Sequence, residues 1–265
     1  MSSPSLQVAA LVLLIGVPLA LPVDGQGAGS APVAINPLYT AAPASLGTDQ
    51  IASMQQQLAD WPQLDRYRAD NARLAPPAPG TARVVFFGDS ITDAWGRARG
   101  TRFFPGKPYI NRGISGQTTA QMVVRFRQDV IDLQPAAVVI LAGTNDIAGN
   151  TGLATLPMME DNFRSMVELA QANHIRVILA SVLPTSGYPW HPGLRPAGKV
   201  RALNSWLRAY AASRGETYLD YYAALANAHG GMDKRLASDG VHPTPAGYAI
   251  MAPLAQQAIE RALAH

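Results

Sequence analysis

The chain has no cysteine among its 265 residues, which excludes disulfides, thiolate nucleophiles and cysteine-ligated metals. Charge is also scarce. Charged residues make up 15% of the chain against 48% hydrophobic ones, the balance of a globular protein with a substantial core. No dense basic run exists and the net charge is only +3, so nucleic-acid binding is not expected. No metal-ligand spacing occurs, and Pro108 after Gly106-Lys107 breaks the pattern of a phosphate loop. Neither a cofactor nor a metal is therefore expected. Long apolar runs are missing too. Val8 to Val23 is nearly unbroken but contains Pro18 and Pro22, and it falls short of the roughly 20 residues of a membrane span.

That run fits a secretory signal peptide better, with small residues such as Ala20 near a cleavage point. Met1 to Gln7 carries no Lys or Arg, so an uncleaved amino-terminal anchor remains the alternative. Residues 1–30 are thus expected to be leader or anchor plus linker. The mature chain is expected in a secreted, periplasmic or envelope location without a stable membrane span. Gly25 to Gly29 imitates a dinucleotide fingerprint, but no strand-forming segment precedes it, so it reads as linker. Residues 31–80 suggest a helical extension. Ile51, Met54 and Leu58 mark one helical face, and Leu64, Tyr67 and Leu74 a second short helix ending at the Pro-rich Ala75 to Gly80. Such short helices are expected to pack on the main domain, residues 81–265.

From Arg83 onward strand-like and helix-like runs alternate. The strands are Val84–Phe87, Tyr109–Asn111, Ala137–Ala142, Arg176–Ala180 and Thr217–Asp220. The helices are Thr118–Leu133, Leu156–Asn173, Lys199–Arg214 and Pro245–Leu263. This alternation predicts an α/β fold with a five-stranded parallel sheet. Right-handed crossovers make it a three-layer α/β/α sandwich.

In such a sheet, ligands bind at the carboxyl ends of the strands. Four polar turns gather there: Gly88-Asp89-Ser90, Asn111 to Thr118, Gly143-Thr144-Asn145-Asp146 and Asp239-Gly240-Val241-His242-Pro243. Ser90 is a candidate nucleophile, or else simply a helix cap. As a nucleophile it needs a base. Of the five histidines only His242 has a carboxylate three residues before it across a glycine. Asp239 is placed to fix its tautomer and stabilise the imidazolium; the alternative is that both cap the last helix. Acyl transfer further needs donors to the oxyanion. The Ser90 amide, the Gly113 amide and the Asn145 side chain are the candidates, unless Gly113 only shapes a turn and Asn145 only caps a helix.

These blocks, Gly88-Asp89-Ser90-Ile91, Gly113, Gly143-Thr144-Asn145-Asp146 and Asp239 to Pro243, resemble in order those of the GDSL, or SGNH, hydrolases. Ile91 stands where that family commonly has Leu. The resemblance spans Arg83 to the carboxyl terminus and implies a flavodoxin-like sandwich that hydrolyses acyl esters without a cofactor. It implies Ser90 as nucleophile, His242 as base, Asp239 as its partner, and Ser90, Gly113 and Asn145 as the oxyanion hole. The lack of Gly-x-Ser-x-Gly around Ser90 sets the chain apart from α/β-hydrolases. Short-chain esters, including O-acetyl groups on carbohydrate, are the expected substrates. Lysophospholipase or thioesterase action on longer chains is the runner-up, and a non-catalytic carbohydrate-binding module is a third reading.

Among other residues, Asp93 belongs to the first helical turn or lines the pocket mouth. Arg112 is expected to pair with a local carboxylate, the alternative being an anionic or sugar substrate. Trp95, Phe103, Phe104 and Trp190 form either a substrate platform or buried packing. The Pro184–Pro196 loop, carrying Trp190 and His191, is long enough to be a rim or lid.

Overall fold

The structure is a computed structural model that describes residues 47–264. The expectations for residues 1–46, leader or anchor included, lie outside the described residues.

Five strands form one sheet: β1 Val84–Gly88, β2 Tyr109–Gly113, β3 Ala137–Leu141, β4 Arg176–Ala180 and β5 Thr217–Leu219. Every pair is parallel and the order is β2-β1-β3-β4-β5. β1 and β3, the apolar runs VVFFG and AVVIL, are buried along their whole length, as strands covered on both faces must be. Alternate residues enter opposite layers. Val85 and Phe87 join Met122, Phe126, Phe163, Met166 and Leu203 on one side. Val84 and Phe86 join Trp95, Tyr221, Tyr248, Met251 and Ile259 on the other. After β1 the chain runs first to one neighbour, β2, and then across to the other, β3. The carboxyl end of β1 is therefore the switch point at which a crevice opens.

The helices are α1 Thr48–Ala59, α2 Arg68–Arg73, α3 Ser90–Ala94, α4 Thr119–Asp129, α5 Thr144–Ala148, α6 Leu156–Ala172, α7 Ala197–Arg214, α8 Tyr221–Leu225 and α9 Pro245–Leu263. The helix expected through Leu133 stops at Asp129 and gives way to a 3₁₀ turn, Ile131–Leu133. Gln134 then turns left-handed (φ 52°) ahead of Pro135, which cannot extend a helix.

The amino-terminal extension behaves in two ways. The apolar face of α1 does not pack on the domain as expected, for Ile51, Met54 and Leu58 are 43%, 46% and 82% exposed. Residues 60–74 do pack. Tyr67 is buried and donates its hydroxyl to the Gly113 carbonyl. The side-chain amides of Gln121, Gln117 and Gln128 donate to the carbonyls of Trp61, Pro62 and Leu64. These bonds satisfy a stretch of backbone that has no ladder of its own. Among the described residues no helix is long and apolar enough to cross a membrane.

Candidate active site

β1 ends at Gly88, whose φ is not in the left-handed region; what it needs is room. A Cβ there would lie 2.2 Å from Thr92 Oγ1 and 2.7 Å from the Leu141 carbonyl. The missing side chain lets α3 start directly against β3. Asp89 caps α3, its Oδ1 accepting from the Ile91 amide at 2.9 Å. Ser90 is thus spared the capping role and occupies the first helical position, where an amide has no intrahelical acceptor.

Ser90 Oγ lies 2.8 Å from His242 Nε2, across 152 positions of sequence. His242 Nδ1 is 2.6 Å from Asp239 Oδ2. The other Asp239 oxygen accepts from the amides of Val241 (2.9 Å) and His242 (2.8 Å), around Gly240 at φ 81°. Burial works against the Asp239 charge. The bond from the His242 ring and those from the two amides outweigh it and hold the carboxyl below the usual carboxylate range. The capping alternative for this loop is removed, because Thr244 caps α9 by accepting from Gly247 N. Of the other described histidines, His174 sits in a turn at φ 58°, His191 Nδ1 faces the Ala148 carbonyl, and His229 is exposed.

The oxyanion candidates are distributed differently from the expectation. Gly113 N–H already donates to Asn111 Oδ1 at 2.9 Å. A Cβ on Gly113 would lie 2.1 Å from the Asp93 amide, so the glycine admits α3 rather than substrate. Its amide is not a free donor. Gly116, three residues on, has what Gly113 lacks: it is exposed, at φ 81°, with nothing within 4 Å of a built Cβ. Its N–H meets no acceptor among the described residues. In sequence Gly116 is marked only as the second glycine of Asn-Arg-Gly-Ile-Ser-Gly, and it is this second one that opens the turn. Asn145 is buried behind this turn. Its Nδ2 donates to the Gln117 carbonyl at 2.9 Å and its Oδ1 accepts from Asn150 Nδ2 at 2.8 Å. One hydrogen of the Asn145 amide remains. Asn145 caps nothing, since α5 is capped by Gly143. Asp146 instead accepts from the Thr119 amide and hydroxyl at the start of α4.

Among the described residues Arg112 is not paired with a carboxylate. Its Nε donates to Asn71 Oδ1 at 2.8 Å and its guanidinium lies 4.6 Å from the Tyr67 ring centroid, which holds the extension to β2. Asp93 accepts from Ser115 Oγ at 2.9 Å and pairs with Arg97 and Arg66. Trp95, Phe103 and Phe104 pack with Phe86 in the core cluster. Trp190 differs: it is 44% exposed, with its ring centroid 6.1 Å from that of His242. Its loop borders a cleft of about 400 Å³ lined by Ser186, Tyr188 and Arg195 together with Asp239 and Gly240. Among the described residues no cluster of three or more His, Asp or Glu side chains is placed to hold a metal ion.

Residues 86–250 match the model of the GDSL-like lipase/acylhydrolase family. A solved structure of a GDSL-like lipase from Bacteroides thetaiotaomicron is 45% identical, with a TM-score of 0.73 over 77% of this chain and 100% of that one. An acetylxylan esterase from Geobacillus stearothermophilus is 28% identical over 201 residues, 64% of this chain and 90% of that protein. Esterase TesA from Pseudomonas aeruginosa is 28% identical over 135 residues; the match spans 51% of this chain and only 60% of that protein. With the family model covering well over half of its length and the parallel sheet arranged as described, the chain belongs to the GDSL-like lipase/acylhydrolase family of carboxylic ester hydrolases.

Proposed function

We propose that this chain is a serine esterase working through Ser90, His242 and Asp239. The observation that carries the reading is the unbroken line Ser90 Oγ, His242, Asp239, with contacts of 2.8 and 2.6 Å. Ser90 Oγ attacks the ester carbonyl while His242 Nε2 takes its proton. Asp239 steadies the imidazolium that results. His242 then returns the proton to the departing alcohol, leaving an acyl group on Ser90. Water, deprotonated by His242, releases the acid and restores the serine. The developing oxyanion is met by the amides of Ser90 and Gly116 and by the remaining hydrogen of Asn145 Nδ2, with Gly116 replacing Gly113 in the set.

Short acyl esters, O-acetyl groups on carbohydrate among them, are the favoured substrates. Trp190 beside His242 offers an exposed ring on which a sugar can rest. The cleft next to Asp239 mixes Ser186 and Arg195 with Tyr188, Pro189 and Leu194, a lining that suits the polar edges and apolar faces of a sugar ring. Residues 1–30 support a secreted or envelope location. A binding module would have no chemical need for a serine hydrogen-bonded to an oriented histidine.

The test is hydrolysis of p-nitrophenyl esters of increasing chain length, acetylated xylan and lysophosphatidylcholine, by the wild type and by Ser90→Ala. Acetyl esters should be turned over fastest, and the variant should retain only background activity. Equal activity in the two proteins on every ester would remove the esterase reading. A preference for long chains or for lysophosphatidylcholine would leave the mechanism standing and replace the substrate class.

A further inference from the structure

Asn150 lies outside every sequence block named above, just after the left-handed Gly149 that ends α5. Its side chain nevertheless joins three parts of the site. Asn150 Nδ2 donates to Asn145 Oδ1 at 2.8 Å and lies 3.4 Å from the Gly116 carbonyl. Asn150 Oδ1 accepts from Trp190 Nε1 at 3.1 Å. Its backbone amide donates to the Asn145 carbonyl at 3.0 Å.

The two ends of a carboxamide have nearly the same shape, so its partners decide which way it faces. An indole N–H can only donate. Trp190 therefore draws the oxygen of Asn150 toward itself and turns the Asn150 nitrogen toward Asn145. The Gln117 carbonyl can only accept, so it draws the nitrogen of Asn145, whose oxygen is left for Asn150. The bonds run in one direction, from Trp190 through Asn150 and Asn145 to Gln117. No member can flip without setting two donors or two acceptors against each other. The remaining hydrogen of Asn145 is thereby held in one place.

We propose that Asn150 is a positioning residue, and that Trp190 sets its orientation. Together they hold the Asn145 amide and the Gly116 turn in the geometry that receives the oxyanion. The inference rests on the reading of Asn145 and Gly116 as oxyanion donors. It joins the exposed loop beside His242 to the buried end of the site, because Trp190 belongs to both.

The experiment measures kcat and KM on p-nitrophenyl acetate for Asn150→Ala, Asn150→Asp, Trp190→Phe, Asn150→Ala/Trp190→Phe and Asn145→Ala, with a melting temperature for each. Removing an oxyanion donor outright costs about 10²–10³ in kcat, the loss expected of Asn145→Ala. Misorienting that donor should cost less, about 10- to 100-fold in kcat for both Asn150 variants, with KM within about twofold. Asn150→Asp is the sharper variant, because it matches the shape of Asn150 and still accepts from Trp190 but cannot donate to Asn145. Trp190→Phe keeps a ring and loses the donor, so its kcat should fall as well. In the Asn150→Ala background it should cause little further loss of kcat, the signature of two groups acting through one path. Additive losses in that cycle, or a fall in kcat seen only where the melting temperature collapses, would overturn the proposal. If Asn145→Ala loses its activity while Asn150→Ala and Asn150→Asp keep theirs, the relay alone fails. If Asn145→Ala keeps full activity, the oxyanion reading fails and takes the relay with it.

Discussion

Ser90 and His242, the proposed nucleophile and its proposed base, stand 2.8 Å apart, yet they are held by opposite means. The turn bearing Ser90 is fastened by distant residues. Arg125, fully buried, donates to the carbonyls of Gly88 and Arg112, each at 2.9 Å, and to Gln117 Oε1. It also pairs with buried Asp129 at 3.0 Å and lies 4.1 Å from the Phe87 ring centroid. Tyr248 on α9 donates to the Ile91 carbonyl at 2.7 Å. In the loop bearing His242, Val241 is anchored in the core, but the ring of His242 is held locally, by a carboxylate three residues back, and those two side chains are 35% and 39% exposed. The flanking carboxylates follow the same division. Burial pushes Asp89 up to about 7, only partly offset by the Ile91 amide and by His242. Asp239 is held low by the local bonds it accepts. In the His242 loop, then, activity and stability should be separable; at the buried Arg125 clamp behind Ser90 they should not.

The largest effect belongs to the exposed side. His242→Ala should lower kcat/KM by roughly 10⁴- to 10⁶-fold, and Asp239→Asn by up to about 10⁴-fold. The melting temperature of either should move by no more than about 2 °C. A thermal loss as large as that expected for the buried side would erase the distinction.

Next comes Arg125→Met, which keeps the length and removes the charge. Asp129 would keep the bond from Asn71 Nδ2 but lose its buried charged partner, a cost of about 3–5 kcal/mol, or a fall in melting temperature on the order of 10 °C. Activity should fall with it, since the carbonyls of Gly88 and Arg112 lose their shared donor. Thermal melting alongside an ester assay checks both, and a variant as stable as the wild type would refute the buried clamp.

The contrast can also be sharpened through pH. Folded Asp89 titrates near 7, against about 3.9 in an unfolded chain. Between those values the folded chain keeps a proton that the unfolded chain has released, so stability falls as pH rises through that window. Asp239 has the reverse sign, adding stability above its unfolded value that is lost as pH falls through its lower folded one. Asp89→Asn retains an acceptor for the Ile91 amide and has no proton to lose. Its melting temperature should therefore decline less between pH 4 and 7 than that of the wild type. Parallel declines would show that Asp89 does not titrate in this window.

What was legible from residues alone was whatever rests on local chemistry. The strand runs follow from continuous apolar stretches such as Val84 to Phe87. The Asp239-to-His242 contact follows from two residues facing each other across Gly240. Arg112 was misjudged because its partners, Asn71 and the Tyr67 ring, come from an extension some forty residues earlier. Trp190 resembled any loop aromatic, since nothing near it in sequence marks its approach to His242.

Gly113 and Gly116 show the boundary most clearly. Sequence alone was enough to say that a glycine-bearing turn follows β2, because strand periodicity and the glycines themselves are properties of neighbouring residues. Which glycine keeps a free amide was decided by Asn111 bonding one of them and by α3 filling the space over it. The same holds for the orientation of Asn145, settled by Gln117 and Asn150. A hydrogen-bonding group is free or engaged according to what the fold brings beside it, and that company is assembled only when the layers close.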